Sequence, residues 1–220
     1  MDGILIVDKP LKMTSFDVVE FVRRRLRIKK VGHAGTLDPI ATGVLVLLLG
    51  KMTRLFKNFE RLGKEYIATM RLGTETDTGD SEGKILRESS YEDVTEEKVL
   101  GVFGEFCGEI YQIPPMVSAI KLKGRKLYEL ARKGIEIERN PKRIKIVELR
   151  LLRFSLPEID FYLKCSKGTY VRVLASDIGK RLGCFAHISK IRRISVGPFK
   201  IEDSIPLEKI DASYIRNFQI

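Results

Sequence analysis

Two stretches, Ile144 to Phe154 and Ile159 to Cys165, alternate apolar and polar residues across a short break that contains Pro157. A period of two marks a half-buried strand, and two such runs this close together pair antiparallel across a turn. The same reading gives a strand over Ile4 to Val7, a fully buried strand over the apolar run Val44 to Leu49, and another through Tyr66, Ala68, Met70 and Leu72. Between them lie helical patterns. Thr14 or Ser15 caps a helix with Phe16, Val19, Val22 and Leu26 on one face, and Thr95 caps one with Val99, Val102, Phe103 and Phe106 inward. Leu127 to Lys133 reads as a short helix stopped by Gly134. Thr169 caps a helix carrying Val171, Leu174, Ile178 and Leu182 that Gly183 closes, and the tail from Leu207 reads as one more. Strands and helices mix without regular βαβ alternation, so the fold expected is α+β with a largely antiparallel sheet. No linker or repeat divides the 220 residues, which are read as a single domain.

The formal net charge is +11 and 44% of residues are hydrophobic, enough for a packed core. An excess of this size points to a polyanionic partner or to a generally basic surface. Its distribution favours the first. Acids dominate from Glu60 to Ser118, whereas bases dominate from Lys121 to Lys145 and from Arg23 to Lys30. Cys107, Cys165 and Cys184 are far apart and form no CxxC or CxxH spacing, which argues against disulfides and zinc and for inert core thiols in a reducing compartment. The N-terminus lacks a basic segment followed by a long apolar one, and Val44 to Leu49 is too short to span a bilayer, so a soluble, cytoplasmic protein is expected. Gly50-Lys51 lacks the flanking residues of a phosphate loop, and Asp77 to Gly83 lacks calcium-loop spacing and reads as a mobile, solvated loop. His33 and His187 are too few for a histidine metal site, and Ser118 has no triad around it.

Val31 to Pro39 holds two Gly and a Pro, which exclude regular structure and make it a shaped loop. Asp38 sits in it just before a buried strand, a position suited to a working carboxylate, although Asp-Pro also simply starts turns. GHAGTLDP, Gly32 to Pro39, resembles the catalytic motif of the TruB family of tRNA pseudouridine synthases. Other segments match the same family in order: LIVDKPLKMTS from Leu5, with Lys12 where the family usually has Gly; ATGVL from Ala41; KEYIATMRLGTETDTGDSEG from Lys64; PPMVSAIKLKGRKLYELARKG from Pro114; KGTYVRVLASDIG from Lys167; and IRRISVGPF from Ile191.

The resemblance implies the pseudouridine synthase fold, a central mostly antiparallel mixed sheet flanked by helices and loops, with an RNA-binding insertion near 114–145. It implies isomerisation of uridine 55 in the T-loop of tRNA after base flipping, by C1′–N1 cleavage and C1′–C5 rejoining. Asp38 would be the catalytic carboxylate, Arg172 the guanidinium that pairs with it, and Tyr66 the ring that stacks on the base. Tyr170 would lie near base and sugar, Ile191 against the uracil, His33 inserted in the RNA loop, and Lys9 as a shaper of the site. The reaction loses no atom and has no redox step, so no cofactor or metal is expected. The expected partner is the tRNA T-arm, with no membrane, no obligatory protein partner and a monomeric state. About twenty residues follow Phe199, too few for the PUA domain that many members carry. A guide-RNA-dependent synthase of the same superfamily and a non-catalytic RNA-binding or RNA-folding module are the alternatives.

Overall fold

The computed structural model describes residues 1–118, 135 and 137–217, with the backbone of 121–122 and 125–126. In chain order the strands are β1 Gly3–Lys9, β2 Val31–His33, β3 Ala41–Leu49, β4 Lys64–Leu72, β5 Thr74–Thr76, β6 Ile85–Glu88 and β7 Gly108–Gln112. They continue with β8 Lys121–Leu122, β9 Arg125–Lys126, β10 Lys142–Ser155, β11 Glu158–Cys165, β12 Ala186–Val196, β13 Phe199–Lys200 and β14 Ile205–Pro206. The helices are α1 Ser15–Leu26, α2 Phe56–Glu60, α3 Glu96–Phe106 and α4 Val171–Leu182. The chain forms two compact units, Met1–Ile67 with Ile191–Ile220, and Ala68–Lys190. Both divisions fall inside strands, β4 and β12, which is why the sequence carries no linker there.

In the first unit the strand order is β14-β1-β3-β12, and the pairing is mixed: β1 runs antiparallel to β3, whereas β12 is parallel to β3 and β14 to β1. The apolar run of β3 is continuous because both of its faces are covered. Val44, Val46 and Leu48 join Ile4, Ile6, Phe59, Val196 and Phe199 in one cluster, while Leu45, Leu47 and Leu49 point the other way and are also buried. Each such side chain contributes about 1.5–3 kcal/mol on burial. Thr14 caps α1 in a capping box with Asp17. The buried face of α1 is Ser15, Val18, Val19 and Val22, not the one expected through Phe16, which is 58% exposed. The face is rotated because Ser15 turns inward to bond the chain at Leu37. Gly32 and His33, expected in a loop, lie in β2, which pairs with Leu47–Leu49 of β3. The tail from Leu207 forms two short 3₁₀ turns, Leu207–Lys209 and Ala212–Tyr214, rather than an α-helix.

In the second unit the order is β4-β11-β10-β7. β10 and β11 form the expected hairpin, closed at Leu156-Pro157, with irregularities after Ile146 and Leu151 that shift its alternation. Thr95 caps α3 as expected, burying Val99, Val102 and Phe103, and the Phe103 ring meets Phe161 edge-on at 6.0 Å. Helix α4 ends on Gly183 in the left-handed conformation, φ 80°. Its N-cap is Tyr170, not Thr169, whose hydroxyl instead donates back to the Ser166 carbonyl. Cys165 and Cys184 are buried thiols, whereas Cys107 is exposed, and all three are free. The helix expected over 127–133 lies outside the described residues, as do 123–124, 134 and 136 of the basic stretch of the insertion. No helix among the described residues is long and apolar enough to cross a membrane.

Candidate active site

Asp38 lies in the connection 34–40 between β2 and β3. His33 stands opposite Leu47, so the connection folds back along the first half of β3. Two other strands pair with the first residues of β3, β1 at its end and β12 in mid-course. Lys9 of β1 pairs with Gly43, and Ile191 of β12 pairs with Ala41, three residues after Asp38. The start of β3 therefore gathers Lys9, Ile191 and the Asp38 loop, three of the features expected in the site. Tyr66, on β4, is 7% exposed, and Asp38 is half-buried.

The loop is held by its backbone. Each carbonyl from Gly35 to Pro39 accepts a hydrogen bond: Gly35 and Thr36 from the Arg193 guanidinium at 3.2 and 3.3 Å, Leu37 from the Ser15 hydroxyl at 3.1 Å, Asp38 from Ala41 N–H at 3.0 Å, and Pro39 from Lys12 N–H at 2.9 Å. The same Ser15 oxygen accepts from Leu37 N–H at 2.8 Å. A loop outside any ladder normally leaves such groups to water, so this one is fixed by design of its surroundings. The Lys9 ammonium, fully buried, donates to the carbonyls of Pro10 and Met13 at 2.8 and 2.6 Å and fixes the turn that leads to Lys12. Lys12 itself has φ 65°, in the left-handed region. A glycine would hold that conformation without strain, which is the reason the matching motif favours Gly at this position.

His33 is half-buried, and its pKa is lowered from the ordinary histidine value by burial and then by the nearby positive charge of Arg193. The imidazole is held towards its neutral form.

Arg172 and Tyr170 belong to the second unit. Arg172 is 3% exposed at the first turn of α4, where a cation is disfavoured unless it is paired. It is paired. The guanidinium donates to the Thr78 carbonyl at 2.6 Å and the Val117 carbonyl at 3.0 Å and lies 3.4 Å from Asp80 Oδ2. The loop that reads as mobile and solvated, 77–83, is thus the cradle of Arg172. Asp80, 6% exposed, accepts from the Thr78 hydroxyl at 2.7 Å and from Glu82 N–H at 3.1 Å, and the loop is tied to Ile188 through Ser81 N–H and the Gly79 carbonyl. Tyr170 is held through its backbone by buried Gln112, which accepts from Tyr170 N–H at 2.8 Å and donates to its carbonyl at 3.2 Å.

Asp80, Gln112 and Arg193 are not singled out by sequence reasoning, and Ser15 is named there only as a possible helix cap. Ser15, Asp80 and Arg193 do lie inside matched motifs, the one signal that could have found them. A hollow of about 220 Å³ opens beside Lys9, and two of the charged residues in its wall, Asp8 and Arg192, bind each other at 2.7 Å. Among the described residues no group of three or more His, Cys, Asp or Glu could hold a metal.

The family model described as TruB family pseudouridylate synthase (N terminal domain) matches residues 23–171, and that of the tRNA pseudouridylate synthase B C-terminal domain matches 172–218. The chain belongs to the TruB family of pseudouridylate synthases. It is 48% identical to the tRNA pseudouridine synthase B of Opitutus terrae over 96% of this chain and 88% of that protein. To the protein of the same name in Clostridium tetani it is 49% identical, over 100% of this chain and 76% of the relative. Among solved structures it resembles a chain of a Cbf5-Nop10-Gar1 complex, with a TM-score of 0.74 and 35% identity over 94% of this chain and 52% of that one. The fold is the α+β pseudouridine synthase fold expected of the TruB family, and the chain is an enzyme of that class.

Proposed function

We propose that the protein is a tRNA pseudouridine synthase that isomerises uridine 55 of the T-loop, with Asp38 as its catalytic carboxylate. The observation that carries this reading is the loop 34–40: its backbone is tied down at five consecutive carbonyls while the Asp38 side chain stays partly accessible. A carboxylate so presented suits an attack that tolerates little misplacement. The reaction needs one such group. The flipped nucleoside loses its C1′–N1 bond, the uracil turns, C1′ bonds to C5, and the C5 proton leaves while N1 regains one. Asp38 either adds to C1′, as in retaining glycosidases, or takes a sugar proton to give a glycal.

In this reading Tyr66 stacks on the base, Tyr170 lies near base and sugar, and Ile191 packs against the uracil. Arg172 keeps the acid anionic. His33, in its neutral form, enters the space that the flipped base leaves, where an imidazole stacks as a plate. The basic stretch 121–145 contacts phosphates. Neither a metal nor a redox cofactor has a step to perform. The protein acts as a monomer without guide RNA, in the cytoplasm.

The Cbf5 likeness favours a second reading, a synthase that works inside a protein and guide-RNA particle. The first is preferred because the relatives named tRNA pseudouridine synthase B are closer in identity and nearer this chain in length. The test is incubation of the pure protein with tRNA tritiated at uracil C5, without guide RNA or metal. Tritium release is expected. Binding without release would leave an RNA-binding module, and release only with added guide RNA would select the second reading.

A further inference from the structure

We infer that Arg193 is a positioning residue for the reaction: it rivets the Asp38 loop to β3 and so sets where the carboxylate points. The inference rests on the reading of Asp38 given above.

Arg193 is 1% exposed, one of the largest fully buried side chains of the described residues. Its Nε donates to the Val44 carbonyl of β3 at 2.8 Å, and its two terminal nitrogens donate across to Thr36 and Gly35. One planar group thus bonds a rigid strand with one edge and the loop with the other. The Val44 carbonyl falls where β3 passes from its pairing with β12 at Ala41–Gly43 to its pairing with β2 at Leu47–Leu49. The side chain fills that gap in the ladder, and the loop is fastened at the same place.

The backbone is shaped to admit it. Gly43 has φ 100°, and a Cβ there would come within 2.2 Å of the Arg193 carbonyl oxygen. Gly35 has φ 120°. Gly43 allows the close approach of β12 and β3, and Gly35 supplies the positive φ by which the loop turns its carbonyls to the guanidinium. Ser15 holds the next residue, Leu37, from the other side. Asp38 is therefore the first residue after three whose carbonyls are gripped by side chains, and the two grips come from opposite ends of the sequence.

Arginine is the residue this task requires. A lysine keeps the charge, but it has a single ammonium in place of a fork with fixed angles and cannot reach strand and loop in the same geometry. Loosening the loop by a fraction of an ångström leaves RNA binding in place and degrades the alignment of Asp38. A misplacement of about 1 Å costs on the order of 100-fold in rate.

The test uses Arg193→Lys in the full chain, at a temperature where its circular dichroism matches that of the unmodified protein. Three quantities are measured: the single-turnover rate of tritium release at saturating C5-tritiated tRNA, the tRNA Kd, and amide hydrogen exchange of the segments covering 34–40 and 44–49. The rate should fall by roughly 10- to 100-fold with Kd within about two-fold, and exchange should rise over 34–40 while 44–49 stays protected. An unchanged rate, or a rate loss matched by lost protection of β3, would overturn the inference, because the residue would then serve the framework alone. If Arg193→Lys does not fold, Arg193→Gln is measured in the same way, and failure of both to fold also assigns Arg193 to the framework. Asp38→Asn is run beside them. Turnover surviving in that variant sinks the reading of Asp38 itself, whereas its abolition together with normal turnover in Arg193→Lys sinks only the present inference.

Discussion

Two glycine-bearing loops, 34–40 and 77–83, set Asp38 and Asp80 in different surroundings. In 34–40 the side chains of Arg193 and Ser15 grip the loop from outside, through its carbonyls, and the loop's own Asp38 remains half-buried. In 77–83 the acid faces inward: Asp80 bonds Thr78 and Glu82 within the loop and pairs with the guanidinium of Arg172. Asp38 is half-buried, whereas Asp80 is buried. Aspartates in two such loops are hard to tell apart by residue type, and the difference lies in which atoms hold the loop. Loop 34–40 is held at its carbonyls largely by side chains from outside it, whereas 77–83 combines outside donors, Arg172 to the Thr78 carbonyl and Ile188 N–H to the Gly79 carbonyl, with an acid that also bonds inside the loop.

The sharpest way to break this contrast is to neutralise each acid in turn. Asp38→Asn should abolish tritium release, a loss of about 10⁴-fold or more as expected of an essential group, with tRNA affinity and melting temperature nearly unchanged. Asp80→Ala should act mainly on stability. It removes the carboxylate 3.4 Å from a buried guanidinium, and breaking a buried pair in this way costs about 3–5 kcal/mol, readable by urea unfolding. If Asp80→Ala were as stable as the parent, or Asp38→Asn as unstable as Asp80→Ala, the division of labour between the two loops would be wrong. Arg172→Ala separates the loops further. Turnover should fall by more than tRNA affinity does, on the order of 10–100-fold, and unchanged turnover would confine Arg172 to the 77–83 loop.

Smaller effects refine the picture of the first loop. Lys12→Gly removes a side chain from a left-handed position next to the Pro39 contact. It should stabilise the protein by roughly 0.5–1 kcal/mol and raise the melting temperature by about 2–4 °C. No change would mean that Lys12 bears no strain. The His33 prediction concerns pH. Its folded pKa is depressed, so the unfolded chain binds the proton more readily, and stability falls as pH drops through the ordinary histidine value of 6.5 towards the lower folded one. Between pH 7.5 and pH 5 the unmodified protein should lose more stability than His33→Asn. Equal pH dependence would show that His33 is not held neutral.

Much of the fold was legible. The β10–β11 hairpin, the buried run of β3, a cap at Thr14 or Ser15, the Thr95 cap and the Gly183 stop all follow from period, cap chemistry and the φ that only glycine takes freely, and the fold selects Thr14. Where the structure departs from the pattern, the causes are local. The apolar spacing turns Phe16 inward, but Ser15 has a hydrogen-bonding reason to face in and fixes the phase of α1. The 77–83 loop looked solvated because it is rich in acid and hydroxyl side chains, but those side chains bond one another and Arg172.

The sequence by itself determined the main strands β1, β3, β4, β10 and β11, three of the helices and the TruB family, because periodicity, caps and motif residues are written in side-chain type. Tertiary structure alone decided what holds the site. Arg193 reaches carbonyls 158 and 157 residues away, Arg172 a carbonyl 94 residues away, and Ser15 one 22 residues away. Every residue has a carbonyl, so the accepting end of such a bond leaves no trace in residue identity. Only the fold, by bringing one particular backbone segment to one particular guanidinium, says which carbonyl it is.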